Sequence, residues 1–287
     1  MTAETIRPGA MRPDTRVRGP AAVSGEPRRF LSLVWTLAVM EFKLRFFGSA
    51  LGYFWQLVRP LLLFGVLYVV FSHFVRFNAG VPYFPAVLLT GIVLFTFFGD
   101  ATSGAVTSVI DRESLVRKVE FPRLVVPLSV VLTAAFNLGL NLLAVMVFVL
   151  ATGVTPTLTW LLMPLLFLAL ILLATGAAML LSALYPRFRD IKPIWEVFLQ
   201  LLFYGSPILY ALEVVPDPTI RKALMLNPLG AILEQTRHWL IDPNAPSAAE
   251  AIGGSARLLV PAGILVGTLL LGYWVFSREA PRIAEEL

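Results

Sequence analysis

Two ionisable residues stand inside otherwise apolar runs, Arg59 in the first and Asp100 in the second. A charge at membrane depth is costly, so such a residue marks a path, a relay or a partner. Arg59 lies eight residues into its run and Asp100 ten from the end of the next. At about 1.5 Å per residue, both sit roughly 12 to 15 Å from the same bilayer face. That matching depth fits an ion pair or a shared polar channel. The plainer reading has Arg59 snorkelling inward and Asp100 meeting polar Thr102 and Ser103. Other chemistry is missing. No G-x-x-x-x-G-K-[ST] loop cradles a nucleotide, no H-E-x-x-H occurs, and His73 and His238 are isolated. The chain has no cysteine, and its aspartates are not clustered as a magnesium-dependent transferase requires. No catalytic residue, metal site or cofactor is expected in this chain.

The richest charged stretch is Asp111 to Arg123 (DRESLVRKVEFPR), in which seven of thirteen residues ionise. It comprises Asp111, Arg112, Glu113, Arg117, Lys118, Glu120, Phe121, Pro122 and Arg123, and it separates two apolar runs, so it must lie in water. Pro122 stiffens the junction into the following run and Arg123 anchors its end.

These residues need a membrane scaffold to position them. The chain is 57% hydrophobic and 14% charged, with a mean hydropathy of +0.79. Such a composition excludes an ordinary soluble domain. Six runs have the roughly twenty apolar residues that a spanning helix requires. They are Leu51–Phe71, Phe84–Ile110, Leu124–Leu150, Leu158–Leu184, Ile194–Leu212 and Leu258–Phe276. Because the runs are continuous rather than alternating, they are helices and not barrel strands. With both termini on one side, seventeen of the 23 Lys and Arg fall on that side, the exceptions being Arg59, Arg76, Arg221, Lys222, Arg237 and Arg257. That bias makes the termini and the charged stretch cytoplasmic. The basic residues cluster at span ends, so the net charge of +5 reports orientation and not nucleic acid.

The expected organisation is a disordered cytoplasmic tail over 1–29, an amphipathic interface helix over 30–47, a six-helix transmembrane domain over 48–277 and a cytoplasmic C-terminus over 278–287. The tail has no apolar core or cleavage site of a secretory signal. In the interface helix, Phe30, Leu33, Leu37, Met40, Leu44 and Phe47 form the apolar stripe, opposite Arg29, Ser32, Thr36 and Lys43. Glu41, Lys43 and Arg45, within five residues, keep it out of hydrocarbon. The segment 213–257 precedes the last span. Within it, Asn227 and Pro228 signal a helix start, and Leu229, Ile232, Leu233, Trp239 and Leu240 mix with charged Arg237, which predicts a re-entrant or interfacial helix. Asp242 to Ser255 is predicted to be a loop. Tyr53, Trp55, Trp195, Tyr204 and Tyr210 fit interfacial belts. Sugar rings also stack on aromatic faces, so some of them would suit a glycan path.

The succession of Phe42 to Pro60 (FKLRFFGSALGYFWQLVRP), Leu115 to Arg123 (LVRKVEFPR) with Pro127, Tyr185 to Ile191 (YPRFRDI), Ser206-Pro-Ile-Leu-Tyr210 and Asn227-Pro-Leu229 resembles the permease subunit of ABC polysaccharide exporters. The likeness covers roughly residues 30 to 280. Arg59 departs from the family pattern, which places an uncharged polar residue before that proline. The resemblance implies an all-α integral membrane protein of the bacterial cytoplasmic (inner) membrane: six spans, an N-terminal interface helix, and re-entrant gate helices before the last span. It implies a homodimer working with two copies of a soluble ATPase, which binds the ATP and magnesium, and a polyprenyl-diphosphate-linked glycan of O-antigen, teichoic acid or galactan type as substrate.

On this analogy Asp111–Arg123 is the ATPase-coupling segment, and Leu37, Met40, Glu41, Lys43, Leu44 and Arg45 belong to the interface helix. Tyr53, Trp55, Arg59, Asp100, Tyr204 and Tyr210 line the substrate path, and Asn227, Pro228, Arg237 and Trp239 form the external gate. The alternative is an ion- or proton-coupled secondary transporter or channel using Arg59 and Asp100. It is weakened because no inverted repeat is obvious between the halves.

Overall fold

The computed structural model describes residues 27–46, 50–75, 80–112 and 122–286, which form helices and connecting turns with no strand among them. The long helices are α1 (Pro27–Phe46), α2 (Ala50–Val69), α3 (Phe84–Asp111), α4 (Val125–Ala151), α5 (Met163–Leu184), α6 (Ile191–Tyr204) and α10 (Leu259–Glu286). Three short helices, α7 (Pro218–Leu226), α8 (Pro228–Thr236) and α9 (Ala248–Ile252), lie between α6 and α10. A π-helical turn, Val70–Val75, extends α2, and another, Arg237–Ile241, extends α8.

Among the described residues five helical stretches are long and apolar enough to cross a bilayer: 55–72, 84–111, 125–151, 158–184 and 255–280. The expected fifth span, Ile194–Leu212, is not one helix. Its helical part, α6, has 14 residues and stops at Tyr204, where Gly205 and then Ser206-Pro207 break the helix. Proline cannot donate to a helical ladder and disfavours helical geometry in the residue before it, so the apolar run breaks there.

The bundle is centred on α3, with α5 and α10 running parallel to it and α4 antiparallel; 72% of the apolar window of α3 is buried, against 11% for the windows of α2 and α10. Leu88, Leu89, Ile92 and Leu94 of α3 join Leu170 of α5 and Ile208, Leu229 and Leu240 in the main core. A second cluster closes the α1 end, where Val34 and Ala183 meet Val109, Val125, Phe276 and Ala280. The end of α3, the start of α4, the α5–α6 turn and the end of α10 therefore share the end occupied by α1. This is the grouping that the charge count requires. The α5–α10 seam is the most extensive helix pairing, and glycine makes it possible. A Cβ on Gly176 would stand 2.7 Å from Leu269 N and 2.8 Å from Leu269 Cα, and one on Gly272 would collide with the Gly176 carbonyl. Close backbone approach of this kind is how apolar helices gain packing energy in a membrane.

Helix α1 divides its expected apolar stripe between the bundle and the outer side. Val34 and Ala38 are buried and Phe30, Leu37 and Glu41 half-buried against the bundle, whereas Met40 and Leu44 are exposed. Small Ala38 permits close approach to α4, and Trp35 and Phe42 clasp Phe136 edge-on at 5.3 and 5.6 Å. Phe47 lies outside the described residues, as do the side chain of Arg45 and most of the expected N-terminal tail. At the other terminus, α10 runs on to Glu286, through the stretch expected as a separate C-terminal segment. The predicted loop after Asp242 contains α9, because Ser247 and Glu250 form a capping box that satisfies two orphan amides.

Candidate functional site

At the α1 end, the last turn of α3 is tied to its neighbours through Arg112. Its guanidinium pairs with Glu41 of α1 and donates to Ser129 Oγ of α4 at 3.0 Å. Glu41 also lies 3.3 Å from Ser129 Oγ and 3.4 Å from Thr133 Oγ1, which places one carboxylate at the junction of three helices. Each polar group is about a quarter exposed or less, so the pair is shielded enough to fix geometry. Asp111 is exposed and accepts from Thr107 Oγ1 at 2.7 Å. Arg123 is buried beside buried Pro122; its Nε and Nη1 have no hydrogen-bond partner among the described residues, and burial lowers its pKa. Lys43 is exposed. Glu113, Arg117, Lys118, Glu120 and Phe121 lie outside the described residues.

Midway along the bundle, Arg59, Asp100 and Tyr204 line one open cavity of about 590 Å³ with Thr96, Gln200 and Phe203. Sequence reading placed Arg59 and Asp100 at matching depth, and the structure puts them on one cavity. Among the ion pairs of the described residues, none joins Arg59 to Asp100. Trp55 is exposed one turn before Arg59, and Tyr210 Oη donates to the Tyr204 carbonyl at 3.3 Å. The Tyr53 side chain lies outside the described residues. Helix α6 is held to α3 by Trp195, whose Nε1 donates to Thr102 Oγ1 at 3.0 Å, while Ile194, Val197, Phe198 and Leu201 remain exposed.

The segment 213–257 folds into the far end of the bundle. Helix α8 packs beside the first turns of α3 at Val87 to Leu94 and of α5 at Leu165 to Leu172, so it is recessed among the spans. Asn227 organises it. Its Oδ1 accepts from Leu229 N at 3.0 Å, capping α8, and its Nδ2 donates to Ser206 Oγ at 3.0 Å. The Asn-Pro-Leu and Ser-Pro-Ile motifs thus meet, and Ile208 seats against Gly91, where a Cβ would come within 3.3 Å of its Cγ2. Arg237 is buried and held by Glu213, Nη1 to Oε2 and Nη2 to Oε1, both at 2.8 Å. Glu234, one turn earlier, lies 3.3 Å from Nη1. Trp239 is half-buried in the core, and its carbonyl accepts from Thr159 Oγ1 at 2.7 Å.

Burial pushes the Glu234 carboxyl up to about 7 despite the attraction of Arg237. For Glu213, partial burial acts upward too, but the Arg237 hydrogen bond and charge outweigh it and hold the group below its usual range. Burial alone would lower Arg237; the two carboxylates raise it instead.

Sequence reasoning missed Glu234, although a carboxylate three residues before Arg237 in an otherwise apolar helix was its signal. It named Glu41 and Arg112 in separate elements and had no means of joining them. Ser129 and Thr133, spaced by one turn in an apolar run, were the trace of that junction.

Long apolar helices packed side by side, with charged clusters locked at both ends of the bundle, define a multi-pass membrane protein. Residues 32–240 match the ABC-2 type transporter family, and the chain belongs to that family. It is 28% identical over 260 residues to the O-antigen export system permease protein RfbA of Myxococcus xanthus, a match covering 90% of this chain and 96% of the relative. A protein of the same name from Klebsiella pneumoniae is 29% identical over 248 residues, 86% of this chain and 92% of the relative. The polysialic acid transport protein KpsM of Escherichia coli is 24% identical over 216 residues, 71% and 79% of the two chains.

Proposed function

We propose that this chain is the permease half of an ATP-driven exporter that moves a polyprenyl-diphosphate-linked polysaccharide of O-antigen, teichoic acid or galactan type out of the cytoplasm. Two copies form the membrane unit in the bacterial inner membrane, and two soluble ATPase subunits bind ATP and magnesium below it. The observation that carries the reading is the Arg112–Glu41 junction, which links α1, the end of α3 and the start of α4 beside residues 113–121. A push delivered at that connection by closing ATPases would reach three helices together, so a rigid-body motion becomes a change at the path. Family membership and relatives named for O-antigen export support the same reading.

In this scheme α1 lies in the cytoplasmic interface, with exposed Met40 and Leu44 toward lipid. Helix α6 together with 205–211 serves as the sixth crossing. Arg59, Asp100, Tyr204, Trp55, Tyr53 and Tyr210 contribute to the glycan path, where aromatic faces stack on sugar rings and polar groups bond to hydroxyls. Asn227, Pro228, Arg237 and Trp239 belong to the outer gate. The test is to purify the chain with its neighbouring soluble ATPase, measure ATP hydrolysis with and without it, and identify the lipid-linked polymer that accumulates when the chain is depleted. Transport of a glycan lipid by the chain alone would sink the proposal.

A further inference from the structure

The transport reading leaves one buried arrangement unused. Arg237 is shared by two carboxylates: Glu213 takes both terminal nitrogens at 2.8 Å, and Glu234 lies 3.3 Å from one of them. Glu234 is 1% exposed and Arg237 4%, so two ionised carboxylates would leave an uncompensated negative charge in a water-poor interior. Beside them is a small cavity of about 10 Å³, walled by Thr90 and Gly91 of α3, Pro207, Leu233, Glu234 and Arg237. That is the room one water molecule takes. Two buried polar atoms of its walls, Thr90 Oγ1 and Arg237 Nε, have no hydrogen-bond partner. Buried polar groups without partners are rare, and an ordered water is their usual satisfaction.

We propose that this cavity binds one water molecule and that Glu234 beside it carries a proton below neutral pH, the two together forming a pH-dependent latch that holds the outer segment against α3. The water accepts the Arg237 Nε proton and donates one of its own to Thr90 Oγ1. Protonated Glu234 leaves Glu213 and Arg237 as a neutral pair and takes one negative charge out of the buried cluster. The charged groups bearing on Glu234 are Arg237 and Glu213, with Asp242 acting on Arg237 and Arg221 on Glu213. From α3 the cavity meets only Val87, Thr90, Gly91 and Leu94, none of which titrates.

The sign follows from burial, which raises the folded-state value of Glu234 to about 7 from 4.5. The latch is at full strength below the unfolded value and is lost as pH rises through the folded one, when the carboxyl must ionise in place.

The experiment is hydrogen–deuterium exchange of residues 228–241 in the full-length chain in nanodiscs from pH 5.5 to 8.5, with rates corrected for their intrinsic pH dependence. Protection should fall as pH rises from 5.5 to about 7, with a slope approaching about tenfold per pH unit, and level off above that, as one linked proton requires. Glu234→Gln should remove this fall. Glu213→Gln should move it to lower pH, because Arg237 then has only Glu234 to neutralise. Thr90→Val should lower protection by a similar factor at every pH while keeping the slope. An unchanged wild-type profile in Glu234→Gln, or an unchanged midpoint in Glu213→Gln, overturns the proton site; unchanged protection in Thr90→Val overturns the water site. None of these readouts depends on whether the chain exports a glycan.

Discussion

Replacing Gly176 by alanine inserts a methyl group where another helix's backbone already stands. The new Cβ would lie 2.7 Å from Leu269 N and 2.8 Å from both Leu269 Cα and Thr268 C. Carbon contacts settle near 3.5–4.0 Å, so α5 and α10 must separate by about 1 Å at this point. No side chain can swing aside, since every obstacle is backbone. Overpacking of this kind costs about 1–3 kcal/mol, and an immovable neighbour puts Gly176→Ala at the upper end. At about 3 kcal/mol the folded-to-unfolded ratio falls on the order of 100-fold. The partner helix α10 supplies the controls, because a Cβ at Gly263 or Gly267 meets nothing within 4 Å. Alanine there should be neutral or stabilising by up to about 1 kcal/mol, the ordinary helix preference of alanine over glycine. Reversible unfolding of each purified variant in mixed micelles measures the difference. Equal stabilities for Gly176→Ala and Gly267→Ala would refute the close-packed seam.

Exchanging the charges of Glu41 and Arg112 tests the junction: Glu41→Arg and Arg112→Glu should each impair ATP-dependent export, and the double variant should recover most of it. Failure of the double variant to exceed either single one removes the pair from the mechanism. Asn227→Ala loses both the cap on α8 and the bond to Ser206, and should lower stability by about 1–2 kcal/mol, whereas Asn227→Asp keeps the cap and should cost less; thermal unfolding ranks them. Charge reversal at Arg117 and Lys118 should uncouple ATP hydrolysis from export while leaving stability unchanged, and intact coupling would reduce that stretch to an orientation signal.

The spans were legible because hydrocarbon imposes one strong rule, continuous apolarity, and α3, α4 and α5 obey it nearly to the residue. The rule weakens where backbone leaves the helix. An apolar run cannot reveal that Gly205 and Pro207 end α6, since the residues after them are as apolar as those before. The face that α1 turns to the bundle was not legible for a related reason: Trp35, Met40 and Leu44 are hydrophobic yet exposed, so periodicity alone could not separate a side turned to the bundle from a side turned outward. Of the candidate sites, the meeting of Arg59 and Asp100 followed from counting depth. The Glu41–Arg112 junction and the recessed position of α8 depend on contacts between residues far apart in sequence, which no local pattern encodes.

The turn after α6 has a consequence for how the chain is made. Fourteen helical residues rise about 21 Å, short of a hydrocarbon core of about 30 Å, so the backbone of 205–211 sits at a depth where lipid offers it no hydrogen bonds. Ile208 in it seats against Gly91, inserted long before it, and its Ser206 side chain is held by Asn227, synthesised after it. Until residue 227 emerges the tie between this turn and α8 is missing, so the stretch from α6 to α8 is expected to settle as a single late step of membrane insertion.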